Sequence, residues 1–263
     1  MNLSSFPEMY ERWLVKPLFQ PWAEILLDRA GLTAGHRVLD VACGTGIVAR
    51  VAMRRLAGTG RIVGIDIGPQ MLAVARAEEP AIEWREGSAD ALPLRDGERF
   101  DRTLCHQGLQ FFPDRPAAVR EIRRSLERGG RLAVAVWTSV EETPFIAALH
   151  RVAEAHLGPF VDRRHGFGDP AALARLIAEG GFDDVQVESL THTIRFADPA
   201  VFVRLNSTAV VGMSAGAQTM TNEERARLGD LIAEESAEVA RRYTNGDGLA
   251  FDLGANVATA RAA

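Results

Sequence analysis

Three groups of residues in this sequence have the types and spacing to do chemistry. The first is Val38-Leu39-Asp40-Val41-Ala42-Cys43-Gly44-Thr45-Gly46, an apolar run that ends in an acid and then a glycine turn. Ile47, Val48, Val51, Ala52 and Leu56 follow at helical spacing, so the unit reads as a buried strand, a glycine loop and a helix laid on a sheet. Such glycines let backbone approach a ligand, and the helix turns its free N–H groups and positive dipole end toward it. A ligand with an anionic or polar group is expected. The second group is Asp66, at the end of the apolar run Ile62-Val63-Gly64-Ile65, with Ile67 and Met71 just behind it. The third is His106, which follows the predicted strand Arg102 to Cys105. An imidazole titrates near neutral pH, and at a strand's ligand end it is the best general-base candidate in the chain.

Two cofactors use such a loop. Gly44-Thr45-Gly46-Ile47-Val48-Ala49 fits the G-x-G-x-x-G/A dinucleotide pattern, and Asp66 lies 20 residues beyond Gly46, where a ribose-binding acid belongs. Against a nicotinamide enzyme, Lys16 is the only lysine and Tyr10 and Tyr243 the only tyrosines, so the Tyr-x-x-x-Lys proton-donor pair of one common dehydrogenase type does not occur.

The other cofactor is indicated by Asp40. With Ala42, Gly44 and Gly46 it occupies the fixed positions of a D-x-G-x-G-x-G signature, Ala42 replacing the first glycine. Gly64 to Leu72, then Gly87-Ser88-Ala89-Asp90-Ala91-Leu92-Pro93, then Arg120 to Gly130 follow in order. Together these segments resemble the class I S-adenosylmethionine-dependent methyltransferases, most closely the small-molecule group that includes the quinone-type C-methyltransferases. The resemblance covers roughly residues 35 to 137. It implies an α/β fold, a doubly wound, mostly parallel seven-stranded Rossmann-like sheet with a helical cap. It also implies S-adenosyl-L-methionine as cofactor and in-line methyl transfer to O, N, S or activated C of a small molecule. The cofactor residues carried over are Tyr10, Asp40, Ala42, Cys43, Gly44, Gly46, Asp66, Ile67, Met71, Ser88, Ala89, Asp90 and Cys105. Ser88 stands where relatives usually place an adenine-binding aspartate. Two alternatives stay open: an NAD(P)-dependent oxidoreductase, and a protein of methyltransferase fold that methylates nothing.

Composition narrows the partners. Of the 263 residues, 47% are hydrophobic and 25% charged, ordinary for a soluble globular chain. A net charge of −5 leaves no electrostatic footprint for nucleic acid or an anionic membrane. No apolar stretch approaches the roughly 18 residues of a membrane span, the start lacks the basic and apolar regions of a signal peptide, and the cytoplasm is the expected location. Cys43 and Cys105 read as isolated thiols at strand ends rather than a disulfide. No spacing of Cys, His or acid residues suggests a metal.

The elements that must position these groups are predicted in chain order. Residues 6 to 30 form two helices broken near Pro17 and Pro21, so that residues 1–34 make an N-terminal cap. Residues 35–197 and 248–263 form the core, with a helix from Asp114 stopped by Gly129-Gly130, a strand from Arg131 to Trp137 and a helix over Pro144 to Leu157. The insertion 198–247 is helical, over Pro199 to Val211 and Asn222 to Tyr243. In the family resembled, a short hairpin replaces it, so the insertion and the cap are expected to form a lid that keeps water off the reacting centre, or else a homodimer face. Trp13, Phe111, Phe112 and Phe145 point to an apolar or aromatic acceptor, and His165 with Arg163 and Arg164 could meet an anionic one.

Overall fold

The computed structural model describes residues 5–263; the first four residues of the predicted 1–34 cap lie outside the described residues. The chain divides into two compact units. One comprises the residues up to Val136 with Gly168–Leu190 and Ala255–Ala263, and the other Trp137–Phe167 with Thr191–Gly254.

In the first unit the apolar runs of the sequence become strands β1 (Arg37–Val41), β2 (Arg61–Asp66), β3 (Glu83–Glu86), β4 (Phe100–His106) and β5 (Leu126–Trp137, whose last residue belongs to the second unit). β1 pairs in parallel with β2 and with β4, β2 with β3, and β4 with β5. With β6 (Phe182–Phe196), β7 (Thr244–Asn245) and β8 (Gly248–Ala262) the strand order is β3-β2-β1-β4-β5-β8-β6, and β7 pairs with β8 off this path. Seven strands on the main path match the predicted sheet. Chain order reverses between β1 and β4, and the crevice outside the carboxyl ends of two such strands is where an open parallel sheet takes its ligand. The glycine loop after β1 and the polar stretch after β4 both lie at those ends.

The strands are linked by α3 (Ile47–Leu56), α4 (Pro69–Glu78), α5 (Arg115–Ser125) and α7 (Pro170–Glu179), the last following α6 (Pro144–Leu157) of the second unit. Asp114 caps α5, its carboxylate accepting from Ala117 N at 2.8 Å. That helix ends at Ser125, four residues before the predicted glycine stop, because Leu126 already pairs with Phe100 as a strand residue. The buried Ser125 hydroxyl fixes the junction, donating to Ile122 O and pairing with Thr103 Oγ1 at 2.9 Å.

The N-terminal segment is helical throughout rather than broken. α1 (Phe6–Tyr10) runs through a π-helical stretch, Glu11–Phe19, into α2 (Gln20–Ala30). Pro17 lies inside the wide turn, where Gln20 N–H reaches back to Val15 O, and a proline without an N–H is absorbed by the altered register. α2 then buries Trp22, Leu26 and Leu27 completely.

The second unit holds α6, α8 (Pro199–Met213) and α9 (Asn222–Arg241), so it contains the predicted insertion and also 137–167. Ala153, Val210, Val211, Ala217 and Ile232 form a core of its own. A separate cluster of Phe145, Phe202 and Phe251, with ring centroids 4.6 to 5.7 Å apart, lies beside a cavity of about 290 Å³ lined by Phe145, Tyr243 and Phe251 among others.

The departure at Ala42 is accommodated within the fold. Ala42 adopts a left-handed φ of 57°, and a Cβ placed on Gly108 would fall 2.5 Å from the Ala42 methyl. The glycine missing from the β1 loop is thus matched by one after β4. Gly108→Ala is predicted to cost about 1–3 kcal/mol by overpacking. Adding Ala42→Gly removes both the facing methyl and the left-handed strain, so the double variant should recover most of the loss in a denaturant titration. Additive losses would contradict this packing.

Candidate active site

The loop after β1 is built from left-handed turns at Ala42, Gly44 and Gly46, with φ of 57°, 56° and 88°. The two glycines have different physical reasons. A Cβ on Gly44 would meet nothing within 4 Å, so this position is open to a ligand. A Cβ on Gly46 would fall 2.3 Å from the Trp84 ring, which fills the same space against Gly64. Trp84 is fixed by Nε1 donating to Glu79 O at 2.9 Å. Sequence reasoning gave both glycines to the ligand; packing against a tryptophan 38 residues away leaves no local signal.

Two carboxylates frame the loop. Asp40, on β1, is 1% exposed; Oδ2 accepts from Ala49 N in α3 at 3.1 Å, while Oδ1 is buried with no hydrogen-bond partner among the described residues. Burial pushes its pKa up to about 8 against the pull of that amide. Asp66, at the end of β2, accepts from Gly44 N at 2.8 Å through Oδ2 and from Gly68 N at 2.7 Å through Oδ1. A carboxylate offers about four acceptor positions, so Asp66 keeps two for hydroxyl donors.

Around this pair lie the other predicted contacts. Ile67 is 70% exposed, an apolar side chain next to a polar acid and free to cover a ligand face. Met71 packs beside Gly68, whose Cβ would lie 3.5 Å from its Cγ. Ser88 and Asp90 are joined by a short hydrogen bond in which the serine hydroxyl donates. Ser88 therefore presents lone pairs, and Asp90 takes a direct part in holding the Gly87–Ala91 loop, with Ala89 half-buried between them. Leu92 N, donating to Glu121 at 3.1 Å, ties the end of this loop to α5. Both cysteines are free. Burial raises the Cys43 thiol's pKa and pushes that of Cys105 to about 12. Cys105 is fully enclosed and lies against the Gly108 position, so it acts here by packing.

The tip of β4 brings the N-terminal helix to the site. Ring centroids run from Phe6 to Tyr10 at 6.2 Å, Tyr10 to Phe19 at 4.9 Å and Phe19 to His106 at 6.1 Å, the last edge to face. Burial, with the charges of Glu11 and Asp66, raises the Tyr10 pKa, so the phenol stays neutral. The π-helical turn is anchored where Glu11 takes Arg50 Nη2 at 2.6 Å, both side chains being under 15% exposed. Trp13 is 41% exposed, with Arg12 over its ring. His106 is 8% exposed, its Nε2 has no hydrogen-bond partner among the described residues, and burial lowers its pKa to about 3. Gln107 and Gln110, which were not singled out in the sequence, are buried beside it; their signal was polar residues in an otherwise apolar stretch. His165 lies in the second unit, its Nδ1 2.8 Å from Thr138 O. No group of three His, Cys, Asp or Glu side chains suited to a metal occurs among the described residues.

These features fit the expected cofactor: open space over Gly44, an orphaned acid oxygen at Asp40, spare acceptors on Asp66 and an acceptor hydroxyl at Ser88. Comparison with known proteins agrees. A family described as a methyltransferase domain matches residues 39–134. The 2-phytyl-1,4-naphtoquinone methyltransferase of Thermosynechococcus vestitus is 32% identical over 189 residues, 64% of this chain and 82% of that protein. The ubiquinone/menaquinone biosynthesis C-methyltransferase of Hahella chejuensis is 36% identical over 119 residues, covering 43% of this chain and under half, 47%, of that protein. A solved SAM-dependent methyltransferase from Thermotoga maritima superposes with a TM-score of 0.57, covering 98% of this chain and 97% of that one; at 18% identity it supports the fold alone.

Asp40 gives a pH-dependent prediction. Between its unfolded pKa near 3.8 and its folded value of about 8 the native state holds a proton that the unfolded state has lost, so this group's contribution to stability falls as pH rises through that window. A cationic ligand favours the ionised acid and expels that proton. Affinity for S-adenosylmethionine should therefore rise with pH up to about 8 and then level off, with proton release below that pH detected by calorimetry in buffers of different ionisation heat. In Asp40→Asn the slope and the release should vanish; release that persists would contradict the assignment.

Proposed function

The chain belongs to the class I S-adenosylmethionine-dependent methyltransferases, and within that family we propose that it methylates a ring carbon of a reduced naphthoquinone-type acceptor. Family membership sets aside the nicotinamide reading. The single observation that carries the acceptor class is the aromatic path from Phe6 through Tyr10 and Phe19 to the buried His106, a wall suited to a flat ring at the tip of β4. The names of the two quinone-modifying relatives support the same class.

S-adenosylmethionine supplies an electrophilic methyl group on a sulfonium centre. The residues that would hold it are Gly44 and Asp40 for the methionine part, Asp66 for the ribose hydroxyls, and Ser88 and Asp90 for the adenine, with Ile67 and Met71 along the ring. Ser88 gives its proton to Asp90 and keeps lone pairs for an amino group. Ala42, Cys43, Ala89 and Cys105 shape the backbone and floor. Tyr10, held neutral by burial, closes the mouth from the N-terminal helix.

His106 takes a different part from the general base that the sequence predicts. With its pKa lowered to about 3 it stays uncharged at neutral pH, so it does not repel a cationic donor, and it is too weak a base to store the acceptor's proton. Its part is a neutral polar wall that orients the ring, since methyl transfer depends first on alignment. Selection of the acceptor is proposed to involve the second unit, which has a core and an aromatic cavity of its own. The two free cysteines and the acidic balance support a cytoplasmic location.

The test is incubation with S-adenosylmethionine and a naphthoquinol kept reduced. The expected products are S-adenosylhomocysteine and a quinol with a new methyl on ring carbon, identified by NMR, and, at saturating S-adenosylmethionine so that the Asp40 titration does not enter, a rate–pH profile with no limb at about pH 6.5, the ordinary imidazole value. Donor binding without turnover of any naphthoquinol would overturn the acceptor class, and a limb near neutrality would restore His106 as a base.

A further inference from the structure

The end of β4 and the stretch after it carry a cluster of buried polar side chains. His106, Gln107 and Gln110 are 8, 7 and 2% exposed, among Leu104, Cys105 and Leu109, which are wholly buried. Gln110 Nε2 donates to Gln107 Oε1 at 3.0 Å, joining the two amides into one unit. That bond uses one N–H of Gln110 and one lone pair of Gln107. Left over are Gln107 Nε2, a donor, and Gln110 Oε1, an acceptor, both buried without a hydrogen-bond partner among the described residues. Unpaired buried amide groups oppose folding, so two in one rigid unit call for a partner from outside the chain. Gln107 is also held at a left-handed φ of 56°, with its N–H donating to Ala135 O at 2.8 Å. Backbone strain of this kind collects where a side chain has to be aimed.

A free donor atom and a free acceptor atom on one bonded amide pair are the complement of a hydroxyl group. A hydroxyl donates to Gln110 Oε1 and accepts from Gln107 Nε2 at once. A carbonyl or ether oxygen satisfies Gln107 and leaves Gln110 Oε1 buried and unpaired, which costs affinity. We propose that the Gln107–Gln110 amide pair reads the acceptor's ring hydroxyl, selecting an aromatic acceptor with a free hydroxyl over its carbonyl or ether counterpart. For a quinone-type acceptor this makes the pair a selector of oxidation state, since the reduced ring carries hydroxyls and the oxidised ring carbonyls. The assignment rests on the acceptor reading above and deepens it.

The experiment uses the full chain saturated with S-adenosylhomocysteine, so that no turnover occurs, titrated anaerobically with 1,4-dihydroxynaphthalene and with 1,4-dimethoxynaphthalene. The wild-type protein should prefer the diol by about 10- to 100-fold, the usual penalty for stranding a buried polar group. Gln107→Met/Gln110→Met removes both amides together, keeps the volume and leaves neither half stranded, so the fold should survive. In this variant the preference should fall to within about threefold while S-adenosylhomocysteine affinity is unchanged. An unchanged preference would overturn the assignment and leave the acceptor reading intact. A parallel loss of S-adenosylhomocysteine affinity would also overturn it, giving the pair to the donor. A wild-type protein that binds neither compound would overturn the naphthoquinol reading, and the assignment with it.

Discussion

The site depends on one carboxylate. Asp66 accepts from the backbone of Gly44 and of Gly68, which joins the loop after β1 to the turn that opens α4. Each bond is charge-assisted and of order 1.5–3 kcal/mol. The left-handed loop therefore does not have to hold itself open, and the acid that a ribose would meet is oriented before any ligand arrives. Orientation by backbone amides also leaves Asp66 without a cationic partner among the described residues to compete for the ligand's place.

Around that anchor the lining is mostly neutral. Asp40 has its pKa pushed up to about 8, His106 has its pKa lowered to about 3, and the Tyr10 phenol is held neutral, all chiefly by burial. A family of reactions that begins with a cation and a neutral acceptor gains from such a lining, because these three groups set no positive charge against binding. Polarity enters instead as single orphaned atoms on Asp40, His106, Gln107 and Gln110.

Much of this was legible in the sequence where the determinants are local. The helix from Ile47 to Leu56 and the helix from Pro144 to Leu157 matched their predicted bounds, because apolar periodicity, a proline and a glycine each act within a few residues. What escaped was non-local. Nothing near Gly46 reveals that Trp84 needs its hydrogen, and nothing near Ala42 reveals that Gly108 makes room for it. Leu126 joins a strand because Phe100 offers a partner, against a local pattern that continues the helix to Gly129. Pro17 predicts a break only if the helix is α; the π register removes that conflict. Burial lowers the pKa of His106, and a sequence gives the imidazole without its surroundings.

The most direct measurement is calorimetric titration of Asp66→Asn with S-adenosylmethionine and S-adenosylhomocysteine, alongside its melting temperature. The substitution keeps the shape, removes the charge and turns one acceptor into a donor facing a backbone N–H. A folded variant with a lowered melting temperature and a loss of affinity of about 100-fold or more for both compounds is the predicted result. Affinity for both at the wild-type level in a folded variant would contradict the claim that this carboxylate builds the site.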